Sequence, residues 1–142
     1  MPELDDATLA YMLQTRKAFE DLRQVAAQLA GLLVLEASGA PSELPYHPML
    51  AAAEELYNAA VECAHGARVT ERAGPHHRHL LAASAAIRAA LSAARQGLAI
   101  DPILAPLRVA YSHLQGAASE LPGFDMVAFS QGCCALPRSA SR

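Results

Sequence analysis

The sequence predicts an all-α protein, an up-down-up-down four-helix bundle with a short C-terminal capping helix. Three observations carry that prediction. Apolar residues make up 53% of the chain but aromatic residues only 5%, with no Trp, so alanine and leucine dominate, and these favour helix over strand. Apolar positions recur at helical spacing through four long stretches. Gly and Pro cluster between those stretches and divide the chain cleanly. At 142 residues the chain suits one domain, assigned to residues 1–136, with 137–142 as a disordered tail.

The first helix is expected to begin at Asp5, a good N-cap, with Leu4 and Leu9 placed as a hydrophobic staple. Met12, Phe19, Ala26 and Leu33 recur every seven residues, with Leu22 and Leu29 between them, giving one apolar seam. Arg16, Lys17, Glu20, Asp21, Arg23, Gln24 and Gln28 cover the opposite, solvated side. A helix running to Ala37 is about 50 Å long and longer than its partners, so it either overhangs or bends near Gly31.

Ser38 to His47 holds Gly39, Pro41 and Pro45 and crosses one end of the bundle. Pro48 suits the first position of a second helix. Its inward stripe is read as Met49, Ala53, Leu56, Ala60, Cys63 and Ala67, with Glu54, Glu55, Asn58 and Glu62 in water. Gly66 is one place for it to end, and the longer version, to Arg72, is preferred. Gly74-Pro75 then breaks the chain and starts a third helix.

That third segment is the organising one. From Leu80 to Ala94 it carries a single charge, Arg88, and a helix this apolar must be covered on more than one side. Leu80, Ser84, Ile87, Leu91, Ala94 and Leu98 form the bulky contacts, and Arg78, Arg88 and Arg95 share one edge. Ala82, Ala86, Ala89 and Ala93 form a second stripe of methyls, read as a close helix contact or a dimer interface. Gly97 ends the helix. Asp101-Pro102 is expected to start the fourth, with 102–106 irregular because Pro106 removes a hydrogen bond. Ile103, Leu107, Ala110, Leu114, Ala117 and Leu121 are its core stripe, closed by Pro122-Gly123. A capping helix follows, with Asp125 as cap, Gly132 as stop, and Phe124 and Phe129 as a staple.

The net charge of −3 gives no basic field for nucleic acid, so no nucleic-acid partner is expected. The longest apolar run, Leu29 to Leu35, is far short of the roughly 20 residues a membrane span needs. The acidic start MPELDD is unlike a secretory signal, and three cysteines do not make a disulfide framework, so a cytoplasmic setting is expected.

Antiparallel topology gathers one polar pole: Glu3, Asp5 and Asp6, then His65 and Glu71, then His76, His77 and His79, with His113 in the same half. Imidazole and thiolate are ligands that zinc and related metals choose, so His65, His76, His79, Cys133 and Cys134 form a candidate transition-metal site. No CxxC or HExxH pattern occurs. His65-Gly66 is similar to the phosphoacceptor region of histidine phosphotransfer domains at the histidine alone, and the Lys-Gly that normally follows there is missing. The leading expectation is a non-enzymatic bundle with no cofactor, a homodimer that binds a protein partner or small ligand. The alternative is a metal- or thiol-dependent sensor or enzyme.

Overall fold

A computed structural model describes residues 3–39 and 43–126. Those residues form four α-helices and no strand: α1 (Asp6–Ala37), α2 (Pro48–His65), α3 (Gly74–Arg95) and α4 (Ile100–Glu120), with a short 3₁₀ turn at Leu44–Tyr46 before α2. Successive helices run antiparallel. The start of α1 meets the end of α2 through Gln14 and Gly66, and the start of α2 meets the end of α3 through Glu54 and Arg95. One hydrophobic core runs through all four. The α3–α4 and α1–α2 pairs pack most extensively, and α2 against α3 much less so.

Helix α1 starts where its cap dictates, with the Asp5 carboxylate accepting from the Thr8 backbone N–H at 2.7 Å. The Thr8 side chain first, and then that backbone bond, hold the Asp5 carboxyl below its ordinary pKa. The helix runs unbroken for 32 residues against 18, 22 and 21 in the others, so it overhangs. Its seam is buried at Phe19, Leu22, Ala26, Leu29 and Leu33, while Val34 and Leu35 on the overhang are exposed. Leu9 is exposed too, so the expected staple places only Leu4 against the core.

Helix α2 corrects two expectations. Leu50, not Met49, enters the core, in register with Ala53, Ala60 and Ala64. The helix ends at His65 rather than Arg72. Thr70 is needed elsewhere: its hydroxyl meets Thr8 Oγ1 at 2.8 Å and caps the Ala73 N–H at 3.2 Å, both of which require a non-helical segment after Gly66.

Helix α3 buries Leu80, Ser84, Ile87, Leu91 and Ala94 as expected. It closes in a Schellman motif: Gly97, at φ 73°, donates to Ala94 and Leu98 donates to Ala93. That turn leads Leu98 away from the core, where it is exposed. In the alanine stripe Ala93 is buried, Ala82 and Ala86 are half-buried and Ala89 is exposed.

Helix α4 begins at Ile100 with Ala99 at the cap, and Asp101 lies inside the first turn. It passes through Pro106 without a break, against the expected irregularity at 102–106. Only one helix bond is missing, that from position 106 to the carbonyl of Pro102. A break there would pull Ile103 and Leu107 out of register, and both are almost fully buried. Ala110, Leu114, Ala117 and Leu121 complete the stripe, after which Phe124 folds back into the core. Of the expected capping helix, Phe124 and Asp125 are described, while Phe129, Gly132 and the tail fall in residues 127–142, outside the described residues.

Candidate functional site

Two places on this scaffold gather polar side chains: the pole at the start of α1 and α3, and a cleft between α2 and α3.

The topology does gather the pole, but its histidines part company. His76 is wholly buried. Its Nδ1 shares a hydrogen bond of 2.7 Å with the Tyr11 hydroxyl, and its ring lies 4.1 Å from that of Phe124. When Tyr11 donates, the imidazole proton sits on Nε2, an atom with no hydrogen-bond partner among the described residues. Burial, and then the nearness of His77 and His79, push the His76 pKa down to about 4. Burial pushes Tyr11 up to about 12. Both groups are therefore neutral near pH 7, as their surroundings require. His77, 3.5 Å from the same hydroxyl, is lowered by burial and then by His65.

His79 faces another way. Its Nδ1 lies 3.1 Å from His113 Nδ1 on α4, so one imidazole donates and the other accepts. Gly116, one turn after His113 on α4, makes room for the ring. A Cβ there would stand 2.6 Å from His79 Cε1. His65 is exposed as the last residue of α2, not embedded in a helix as a phosphoacceptor would be. The candidate metal ligands thus split: His76 turns to α1, His79 to α4 and His65 to solvent, while Cys133 and Cys134 lie outside the described residues. Among the described residues, no group of three or more His, Cys, Asp or Glu side chains could hold a metal ion. Cys63 is half-buried, and its thiol contacts the Gln14 carbonyl at 3.2 Å.

A cleft of about 420 Å³ lies between α2 and α3, which pack less extensively than α3–α4 or α1–α2. Leu91, nearly buried, forms the floor, and the Tyr57 ring forms a wall. The Tyr57 hydroxyl donates to the Ser84 carbonyl at 3.0 Å, tying the helices together. Burial raises the Tyr57 pKa, against a smaller lowering by Arg88, so that guanidinium stands close by. Arg88, Ser92 and Arg95 descend one face of α3 opposite Glu54 and Asn58. Arg95 is gripped by both Glu54 oxygens and by the Pro45 carbonyl. The arginine edge was legible in the sequence. The cleft was not, because Glu54 and Asn58 read as water-facing from α2 alone, and Asn58 is exposed while Glu54 is half-buried. The available signal was polar spacing: Asn58 follows Glu54 by four positions, Ser92 follows Arg88 by four, and Arg95 follows Ser92 by three.

Comparison of the chain with models of protein families, with curated proteins and with solved structures returns no match. Among the described residues no helix is long and apolar enough to cross a membrane.

Proposed function

We propose that this chain is a non-enzymatic binding protein, a helical bundle that holds a small ligand between α2 and α3. The observation that carries this reading is the cleft itself. Its volume of about 420 Å³ falls within the range of small-molecule sites, and it pairs an apolar floor with a few convergent polar groups. The buried imidazole of His76 supports binding over catalysis, because Tyr11 and Phe124 close it off from any substrate. The test is a fragment screen by ¹⁵N-resolved NMR on the whole chain. Shifts clustering at Tyr57, Asn58, Leu91 and Ser92 are expected, and hits confined to other surfaces reject the reading.

Homodimerisation is part of the same proposal. It is supported by Ala89, bare beside the half-covered Ala82 and Ala86, and by the apolar overhang at Val34 and Leu35. A monomer in sedimentation equilibrium at high concentration removes it. The metal- or thiol-dependent alternative draws no support from the divergent histidines.

A further inference from the structure

We infer that the α2–α3 cleft selects an organic monoanion, a small molecule joining one carboxylate or sulfonate to a flat apolar body, with Arg88 as the anchor. The inference rests on the cleft being a ligand site and adds the chemistry of the ligand.

Charge decides the class. The cleft holds two guanidinium groups and one carboxylate. Arg95 is neutralised by Glu54 in a two-pronged contact and further held by the Pro45 carbonyl, so it offers little to a ligand. Arg88 has no acidic partner among the described residues. One uncompensated positive charge therefore faces the cavity. A neutral apolar ligand gains nothing from the Arg88 charge, whereas an anionic group gains a charge-assisted hydrogen bond. A polyanion would need several cations, and the whole chain is net negative at −3. A single anionic group matches the charge that is present.

Shape decides the rest. A guanidinium is a planar fork suited to a planar carboxylate. Beside it, the Tyr57 ring and the Leu91 side chain offer apolar surface, which an inorganic anion would leave wet. The Tyr57 hydroxyl is already engaged with Ser84, so that residue contributes its ring face rather than its polar tip. The Ser92 hydroxyl accepts from the Gln96 amide at 2.9 Å, while Asn58 makes no hydrogen bond among the described residues and can orient the ligand.

The test uses the full chain and three probes: 2-naphthoate, its neutral counterpart 2-naphthamide, and inorganic phosphate. Each is titrated by ¹⁵N-resolved NMR into the wild type, Arg88→Gln and the control Arg108→Gln on α4. Arg88 is exposed, so its replacement leaves the fold intact, and far-UV circular dichroism verifies this. Naphthoate is expected to shift Tyr57, Asn58 and Ser92, to bind more tightly than the amide, and to lose about tenfold or more in affinity with Arg88→Gln alone. Equal binding of naphthoate and naphthamide, unaffected by Arg88→Gln, overturns the monoanion inference but leaves the cleft as a ligand site. Phosphate displacing naphthoate at comparable concentration overturns the organic part. If no probe shifts the cleft residues, the inference fails together with the binding role assigned above.

Discussion

Replacing Gly116 by alanine sets two well-separated effects against each other. In an ordinary helix interior the change is favourable by about 1 kcal/mol, because glycine has more backbone freedom to lose. Here the new methyl would stand 2.6 Å from His79 Cε1 and 2.8 Å from both ring nitrogens, well inside van der Waals contact. The ring has to move by about 1 Å, since carbon atoms rest roughly 3.5–4.0 Å apart. It sits half-buried in the most extensively packed seam of the bundle, and its Nδ1 contact with His113 is only 3.1 Å long. Overpacking of this kind costs about 1–3 kcal/mol. A lost hydrogen bond adds roughly 1 kcal/mol. The net expectation is a loss of about 1–3 kcal/mol once the gain in helix propensity is set against those costs. Urea unfolding followed by circular dichroism measures it, on the wild type, Gly116→Ala, His79→Ala and the double variant. With the imidazole gone, Gly116→Ala should become stabilising by about 1 kcal/mol, so the cycle should report a coupling of roughly 2–4 kcal/mol. A Gly116→Ala protein more stable than wild type would refute the reasoning, because it would mean that the ring does not occupy that space.

The remaining predictions concern the core pole and the fourth helix. The His76 pKa falls from 6.5 in the unfolded chain to about 4 when folded, so below pH 6.5 the unfolded state binds a proton that the folded state refuses. Stability from this group is complete above pH 6.5 and falls as pH drops towards 4, by about 3 kcal/mol in all, with His77 adding in the same direction. Unfolding free energies at pH 7, 6, 5 and 4 test this, and a His76→Leu variant that keeps the full acid slope would contradict it. Tyr11→Phe leaves the buried Nδ1 unpartnered and should cost about 1–3 kcal/mol at pH 7, read as a lowered urea midpoint at unchanged slope. Pro106→Ala restores the bond to the Pro102 carbonyl and should raise the melting temperature by several degrees, for a gain of about 1–2 kcal/mol. An unchanged melting point would show that the proline is seated without strain.

What the sequence disclosed follows the range of the interactions involved. The bounds of α1 were legible because the Asp5 cap and the seven-residue seam lie within the segment itself. The stripe of α4 was legible from Ile103 to Leu121 for the same reason. The end of α2 was not, because it depends on a hydroxyl contact between Thr8 and Thr70, 62 residues apart. The passage of α4 through Pro106 was misjudged because a local penalty was weighed without the burial of Ile103 and Leu107 on either side. The pole itself could be foreseen from topology. Its failure to converge could not. Residues three apart on a helix differ by about 60° in direction, enough here to send His76 to Tyr11 and His79 to His113.

The small residues of α3 explain why the cleft opens where it does. Ala83, Ala90 and Ala94 are wholly buried, and α4 answers with Ala110 and Ala117 beside Gly116. Small buried side chains on both helices let their axes approach closely, and α3–α4 is the most extensively packed pair. The same helix cannot lie equally close to α2 on its other flank. There it presents Leu91 and Arg88, and α2 presents Tyr57, so larger groups stand between the axes. The gap is bridged rather than filled, by Tyr57 reaching Ser84 at one level and Arg95 reaching Glu54 at another. Between the two bridges lie Asn58 and Ser92, too small to close it. The alanines that tighten one seam thereby leave the other open, and Arg88, without an acidic partner among the described residues, stands at that opening.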